Sequence, residues 1–209
     1  MYTPAHFREE RLPILHRWMR ENSFATFVSV VDGAPFATHL PALLDPTRGE
    51  FGTIRAHMAR ANPQWRAFDP DAELLVIYQG PHGYITPSWY NATAAVPTWN
   101  YTAVHAYGVP RVLKGEAAMA LLLDQVALFE SGFEKPWSTA GQAPGYIEGL
   151  AKGIVAFEME VTRLEGKGKL SQNRPADREQ VLDALAERGA PEDLALASVM
   201  RSVDEREQS

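Results

Sequence analysis

Runs of β-branched and aromatic residues, separated by turn residues, dominate the first half of the chain. Residues 24–31 form the first run, and Asp32-Gly33 behind it is a strong hairpin-turn signal, so residues 35–44 are predicted to return as a second strand. Residues 155–161 alternate between apolar and polar side chains, which makes them the clearest half-buried strand. Further strands are predicted at residues 50–57, 73–79 and 98–113, the last of them as one strand or two.

Helical spacing of apolar residues marks both ends of the chain and a segment between them. Asn62 and Pro63 suit the cap and the first position of a short helix that runs to residue 68. Other helices are predicted at residues 9–21, 117–129, 146–151, 175–188 and 191–203. Strands joined by tight turns argue against a Rossmann fold and favour an antiparallel barrel, closed or partly closed. The predicted class is mainly β with peripheral helices (α+β).

The composition narrows the class of protein further. A length of 209 residues suggests one domain, or one domain with an appended helical piece. The absence of cysteine excludes a disulfide scaffold, a cysteine-ligated metal site and a cysteine nucleophile. No signal-peptide pattern occurs, and no apolar run approaches the ~18 residues of a membrane span. We therefore expect a soluble, cytoplasmic protein.

Charge and aromatic residues are unevenly distributed. The chain has 26 acidic and 20 basic residues, for a net charge of −6, which disfavours a protein held on DNA by charge alone. Between Leu74 and Gly115 there is no Asp or Glu, yet this segment holds five of the seven tyrosines and two of the five tryptophans. This segment is suited to a ligand that carboxylates would repel.

Residues 57–66 form the first candidate site. The segment places His57 and Arg60 at the end of a strand, directly before the helix that begins at Asn62. Unpaired N–H groups at a helix start, joined by a guanidinium, favour phosphate binding, with Arg55 or Arg66 as further donors. The alternative is a solvated turn before a helix whose Trp65 packs into the core.

Two further segments carry polar side chains of the kind that contact a ligand. In residues 36–41, alternation puts Thr38 and Leu40 on one strand face and His39 on the other, which suits either a ligand wall or a core strand. Residues 84–105 mix Ser, Thr, Asn and His with Trp and Tyr, which could stack on a planar ligand or simply form an aromatic core. Residues 167–174 are interpreted as a polar loop.

Common catalytic motifs are missing from the sequence. It contains no P-loop, no G-x-G-x-x-G, no G-x-S-x-G and no H-E-x-x-H, and no histidine pair has metal-ligand spacing on one element. No metal site is predicted, and no catalytic residue is assigned. Residues 175–206 superficially match a helix-turn-helix, but four basic against eight acidic residues give −4, so a helical cap or dimer element is the better interpretation.

Seven sequence blocks together resemble the PaiB family, described as FMN-binding negative transcriptional regulators. They run in family order from residue 1 to about residue 174. The blocks are Met1-Tyr2-x-Pro4-x-His6-Phe7, Ala37-Thr38-His39-Leu40-Pro41, His57-x-Ala59-x-Ala61-Asn62-Pro63-Gln64-Trp65-Arg66, Gln79-Gly80-Pro81-His82-x-Tyr84-Ile85, Ser88-Trp89-Tyr90, Val96-Pro97-Thr98-Trp99-Asn100-Tyr101-x-x-Val104-His105 and Lys169-Leu170-Ser171-Gln172-Asn173.

The resemblance implies a fold and an assembly. The expected fold is an antiparallel six-stranded split β-barrel of the FMN-binding type, related to pyridoxamine-phosphate oxidases. Residues 1–174 would form the barrel with its N-terminal helix, and residues 175–209 a helical extension packed on the barrel or on the dimer. The protein would be a homodimer with its flavin at the interface.

The resemblance also implies roles for individual residues. By position, Thr38, His39, Leu40 and Pro41 would line the flavin ring and ribityl chain, and His57, Ala59, Arg60 and Asn62 would meet the phosphate. Trp99, Asn100 and His105 would approach from the partner chain or the ring face, and Lys169, Ser171 and Gln172 would close the site. One departure stands out, because the second cation of the oxidases' phosphate pair is replaced by Ala61.

Three functions remain open at this point. The first is an FMN-binding regulator or repressor of the PaiB type, whose effect on genes is expected to be indirect because the C-terminal helices are acidic. The second is a flavin-dependent oxidoreductase of the pyridoxamine-phosphate-oxidase-like superfamily. The third, weaker, is a haem-binding split barrel with His39, His57 or His105 as ligands.

Overall fold

The computed structural model describes residues 1–91 and 95–204, with side chains up to residue 202. Five α-helices lie at α1 (Leu12–Glu21), α2 (Gly115–Glu130), α3 (Tyr146–Ala151), α4 (Arg178–Arg188) and α5 (Pro191–Asp204). Ten strands lie at β1 (Arg8–Glu9), β2 (Phe24–Val31), β3 (Ala34–Pro41), β4 (Leu43–Asp45), β5 (Thr53–Ala59), β6 (Leu74–Ile85), β7 (Thr98–Gly108), β8 (Pro110–Leu113), β9 (Ile154–Glu160) and β10 (Arg163–Lys169). Short 3₁₀ helices occupy Ala5–Phe7, Pro63–Ala67, Pro87–Trp89, Thr139–Gly141 and Pro175–Asp177. These counts refer to the described ranges.

The chain forms two compact units. The first contains Met1–Glu21, Gln79–Val104 and the residues from Glu165 onward, and the second contains Asn22–Tyr78 and His105–Leu164. Strands β6, β7 and β10 each contribute residues to both units. The expected boundary at residue 174, between the barrel and its helical extension, stays a prediction.

In the second unit, the hairpin of β2 and β3 is the best-defined feature. Its strands pair along their full length, from Phe24 opposite Pro41 to Val31 opposite Ala34. The turn residues Asp32 and Gly33 have φ values of 51° and 79°, the left-handed pair that a tight hairpin requires. On its other edge β2 pairs with β6, and a separate sheet has the order β4-β5-β9-β8.

The core of the second unit fills the space behind these strands. Phe157 contacts Phe27 and Phe68 edge-on, with ring centroids 5.7 and 5.1 Å apart respectively. Ile54 and Met58 on β5 are also fully buried, as the alternation of that strand requires. Burying the four fully buried side chains, those of Phe27, Ile54, Met58 and Phe157, contributes roughly 1.5–3 kcal/mol each relative to leaving them exposed.

In the first unit, α1 packs against β10. The strand order here is β1, β10, β7 and β6, and β1 pairs with β10 through Arg8 opposite Lys167. Gly166 and Gly168 leave room for the helix, since a Cβ on Gly166 would lie 2.2 Å from Leu15 Cδ2 and one on Gly168 would lie 3.0 Å from Trp18. Helices α4 and α5 bury their apolar faces in the same unit.

The structure confirms the predicted class and corrects several boundaries. Strand β6 continues through Gly80-Pro81 to Ile85, and its burial pattern shifts by one residue at Pro81 and His82, as at a bulge. Residues 35–44 divide at Ala42 into β3 and β4, which belong to different sheets. The segment 98–113 is two strands, and 163–169 is a strand where none was expected. The described ranges contain ten strands, and six of them form one sheet.

No helix in the described ranges is long and apolar enough to cross a membrane. In the same ranges, no group of three or more His, Cys, Asp or Glu side chains is arranged to hold a metal ion.

Glu158 on β9 is a buried carboxylate held by two arginines. Arg48 donates both terminal nitrogens to it, at 3.0 and 2.9 Å, and Arg111 donates to the same oxygen as Arg48 Nη2. The hydrogen bonds from Arg48 outweigh the cost of burial, so they hold the pKa of Glu158 below its ordinary value of 4.5.

This arrangement predicts how stability depends on pH. A carboxyl whose pKa is lowered by folding contributes stability above its unfolded pKa and loses that contribution as the pH falls through its folded pKa. Glu158→Gln should therefore lower the free energy of unfolding by about 1–3 kcal/mol at neutral pH, and by less as the pH falls below 4.5. Urea unfolding at several pH values checks this. A constant difference between variant and wild type would contradict it.

Candidate functional site

Strand β3 and the turn after β5 meet in the second unit. The Asn62 amide donates a 2.9 Å hydrogen bond to the Thr38 hydroxyl, so the ligand-wall strand and the phosphate-cradle segment are neighbours. Thr38 shares its strand face with the buried Leu40, whereas His39 points to the exposed face, as alternation predicts. Thr38 and Asn62 therefore form one polar pair, and His39 lies on the other side of the strand.

The turn at residues 59–62 is held by its own polar groups. Asn62 caps the following 3₁₀ helix, accepting from the Gln64 N–H at 2.9 Å, as predicted from its sequence position. The guanidinium of Arg60 donates through Nε to the Lys152 carbonyl at 2.7 Å and through Nη2 to the Ile154 carbonyl at 2.6 Å. Arg60 is otherwise exposed, and these two bonds hold its guanidinium at the turn.

Gln64 ties this turn to the β2–β3 hairpin. It is fully buried, and its amide nitrogen donates to the Phe27 carbonyl at 3.0 Å and to the Ser29 hydroxyl at 3.1 Å. This residue belongs to a recognised sequence block but was not predicted as a site residue. The signal available in the sequence was its position, two residues after the predicted helix cap Asn62. Its bonds tie the 3₁₀ helix that Asn62 caps to β2.

His57 and Pro41 are connected through a residue that sequence reasoning missed. The ring nitrogen Nδ1 of His57 lies 2.6 Å from Gln125 Oε1, and Gln125 Nε2 donates to the Pro41 carbonyl at 3.2 Å. Gln125 is the buried polar residue of helix α2, which also carries Glu116, Asp124 and Glu130, so no signal in the sequence singled it out. This link joins β3, β5 and α2 around the candidate site.

His39 forms a separate contact on the outer face of the hairpin. Its Nδ1 lies 3.0 Å from the Thr26 hydroxyl, and its ring stacks on Phe24 at a centroid distance of 6.3 Å. Phe24 is 70% exposed, which is unusual for a phenylalanine on a strand. This outer face therefore presents an imidazole and a phenyl ring to its surroundings.

The other predicted site residues differ in their exposure and lie in both units. His105 lies on β7 in the second unit, half-buried beside Tyr107. In the first unit, Trp99 is 54% exposed and its ring lies near those of His82 and Tyr84. Ala59 is exposed at the end of β5.

Asn100 and the block after β10 are largely internal. Asn100 is buried and donates to the Ser171 hydroxyl at 2.8 Å. Gln172 accepts from the Leu170 N–H at 2.7 Å and donates to the Gly168 carbonyl at 2.6 Å, closing a local turn. Lys169 is the charged residue of the block 169–173, and its side chain is half-buried. The contact of these residues with a flavin stays a prediction.

The donor set around Thr38 and Asn62 fits FMN. Residues 33–44 and 51–68, which supply it, contain no Asp or Glu. They offer the Thr38 hydroxyl, the Asn62 amide, the His57 imidazole and the Arg60 guanidinium, groups of the kind that bind a dianionic phosphate and a polar ring edge. When bound, FMN would supply one- or two-electron redox chemistry, while the residues of this chain would hold its phosphate and orient its ring.

The strand order and these donors define a split-barrel flavoprotein. A family model described as "Putative FMN-binding domain" matches residues 1–163, and the chain belongs to that family. The resemblance to the PaiB family is confirmed. Over 201 residues the chain is 36% identical to "Protease synthase and sporulation protein PAI 2" of Bacillus subtilis strain 168, covering 96% of each. The chain is thus an FMN-binding split-barrel protein.

Solved structures agree on the fold. The FAD and heme binding protein of Mycobacterium smegmatis aligns with a TM-score of 0.57 at 16% identity, covering 78% of this chain and 73% of that one. The flavocytochrome Anf3 of Azotobacter vinelandii aligns with a TM-score of 0.53 at 13% identity, covering 79% and 74%. At these identities the likeness concerns the fold.

Proposed function

We propose that this protein is a cytoplasmic homodimer that regulates gene expression through its bound FMN and not through DNA contact by its C-terminal helices. The flavin phosphate would lie at the turn of residues 59–62, and the ring and ribityl chain along residues 38–41. The observation that carries this proposal is the hydrogen bond from Asn62 to Thr38, which joins the two acid-free segments into one polar site.

The outer face of the β2–β3 hairpin, on the side of β3 opposite Thr38, supports a second copy of the chain. Strand β3 ends its sheet, so one edge of its backbone is unpaired in that sheet. Phe24 and Val30 on β2 are 70% and 62% exposed, and exposed apolar side chains on a sheet face favour a partner surface.

Helices α4 and α5 support the exclusion of DNA. Arg178 donates to the carbonyls of Leu170 and Met200, at 3.1 and 2.6 Å, so its guanidinium is engaged internally. Arg188 pairs with Asp193 and lies over the Trp89 ring. The exposed charges that remain on this pair are mostly carboxylates, which repel phosphate. The exposed acidic residues of the pair include Glu179, Asp183, Glu187 and Glu192.

The proposal is tested with Asn62→Ala, matched by Gln142→Ala in an exposed loop. We expect the wild type and Gln142→Ala to take up FMN in titration and to restore normal transcript levels in cells lacking the gene. Asn62→Ala should bind FMN about tenfold more weakly, because it loses one hydrogen bond and a cap, and it should not restore transcript levels.

A gel-shift assay with the protein's own upstream DNA completes this test. None of the three proteins should retard the DNA at about 50 mM salt, where non-specific binding is favoured. Retardation by the wild type would overturn the exclusion of DNA. Turnover of a reduced nicotinamide, with transcript levels indifferent to FMN binding, would instead identify a flavin-dependent oxidoreductase.

A further inference from the structure

Strand β10 presents two lysines on one face of the first unit. Lys167 and Lys169 are two residues apart, so both project from the side of the strand opposite Gly168, which packs under α1. Lys167 is only 8% exposed, and Lys169 is half-buried. Arg8 lies directly opposite Lys167 on β1 and therefore shares this face. Arg8 pairs with Glu10 at 3.5 Å, so the charge left to explain on this face is that of the two lysines.

Aromatic rings surround the two ammonium groups. Lys167 Nζ lies 5.7 Å from the ring centre of Tyr2 and 5.2 Å from that of Tyr101, and Lys169 Nζ lies 5.8 Å from that of Phe7. Trp99 is two residues from Tyr101 on β7 and shares its outward face. The lysines are therefore set in an aromatic wall that is itself partly exposed.

Neither lysine forms an ion pair with a carboxylate within the described ranges. Lys167 donates to the Tyr2 carbonyl at 3.1 Å, and Lys169 donates to the Thr98 hydroxyl. Glu165, an acid on the same face of β10, pairs with the ammonium of Met1. An ammonium has three N–H donors, so each lysine retains hydrogen-bonding capacity beyond its one bond to a neutral oxygen.

A buried and a half-buried ammonium close together, without a counter-ion, are electrostatically unfavourable. The effect is visible at Lys169, where burial first and the charge of Lys167 second lower the pKa of the ammonium below its ordinary value. An anion between the two groups would supply the missing charge and accept the unused N–H donors. A compact group such as carboxylate or phosphate is required, because little of Lys167 is open.

We infer that Lys167 and Lys169 bind the carboxylate or phosphate of a small aromatic molecule other than FMN, with its ring against the wall formed by Tyr2, Tyr101 and Trp99. The first unit thereby holds a second ligand, a substrate or an effector. The anion site stands on residues of the first unit alone, and so does not depend on the flavin site proposed in the second unit.

The probes are phenyl phosphate, benzoate and the neutral benzamide, titrated calorimetrically into FMN-free protein. Phenyl phosphate, benzoate or both should bind saturably, and benzamide should not. Lys169→Gln and Lys167→Gln should each weaken binding at least tenfold, whereas Lys169→Arg should retain it. Lys135→Gln, an exposed loop lysine, is the matched control and should bind like the wild type. Circular dichroism checks that each variant is folded. If Lys167→Gln unfolds, the result for Lys169→Gln decides.

Three results would overturn the inference. The first is no saturable binding of either anion. The second is anion binding that the folded Lys169→Gln variant leaves unchanged. The third is a loss of FMN affinity in Lys169→Gln while riboflavin affinity is kept, which would assign these lysines to the flavin phosphate. Failure of FMN to bind the wild type would count against the proposed function and leave the anion titration standing.

Discussion

Gly108→Ala is expected to destabilise the protein by about 3 kcal/mol or more, at the upper end of what overpacking costs. An added Cβ would lie 2.1 Å from the carbonyl oxygen of Glu160 and 2.8 Å from Met159 Cγ. The methionine side chain can move, but the carbonyl belongs to the backbone of β9, where Glu160 pairs with Thr53. Relief would therefore require β7 and β9 to separate.

Urea unfolding followed by tryptophan fluorescence measures this effect. Gly132→Ala is the matched control, since a Cβ there would have no neighbour within 4 Å, and its free energy of unfolding should stay close to that of the wild type. Both variants are purified under the same conditions. A stability for Gly108→Ala within about 0.5 kcal/mol of the control would show that β7 and β9 do not approach this closely.

Arg60→Ala is expected to weaken FMN binding by about ten- to a hundredfold, which is the value of a charge-assisted hydrogen bond. Riboflavin, which lacks the phosphate, should lose far less. The two carbonyls that hold the guanidinium, those of Lys152 and Ile154, fix it at the turn in advance of the ligand. Arg60→Lys should recover only part of the affinity, because an ammonium lacks the planar fork of nitrogens with which the guanidinium holds both carbonyls.

Fluorescence titration of the flavin gives both affinities. Arg66→Ala is the matched control, because Arg66 is also exposed but lies over the ring of Trp65, with 5.0 Å from its guanidinium carbon to the ring centre. Its FMN affinity should be close to that of the wild type. Equal losses of FMN and riboflavin in Arg60→Ala would show that the arginine supports the turn without meeting the phosphate.

Local signals in the sequence were sufficient where neighbouring residues decide the structure. The bounds of β2 and the turn at Asp32-Gly33 agree with prediction because a left-handed turn pair imposes the hairpin by itself. The Asn62 cap and the helix Tyr146–Ala151 also agree with prediction, because neighbouring residues in the sequence set both. The PaiB blocks added the family and the flavin, which no single motif would have given.

Local signals failed where a distant element compensates for an unfavourable residue. Strand β10 contains two glycines and two lysines and has little strand propensity, but α1 covers its glycines and β1 pairs with it. Strand β6 tolerates Gly80-Pro81 because the burial pattern shifts there, as a bulge allows. Gln125 could not be placed in the site, since its two partners lie 68 and 84 residues away in sequence.

The sequence by itself determined the class of fold, the family, the cofactor and the scarcity of carboxylates in the segments suited to a flavin. These properties depend on composition, periodicity and ordered blocks, which are all read along the chain. Only the tertiary structure decided that Asn62 bonds to Thr38, that Arg60 is anchored by two carbonyls, and that Lys167 and Lys169 share one aromatic-lined face. Such contacts join residues far apart in sequence, and only packing of the strands and helices brings them within bonding distance.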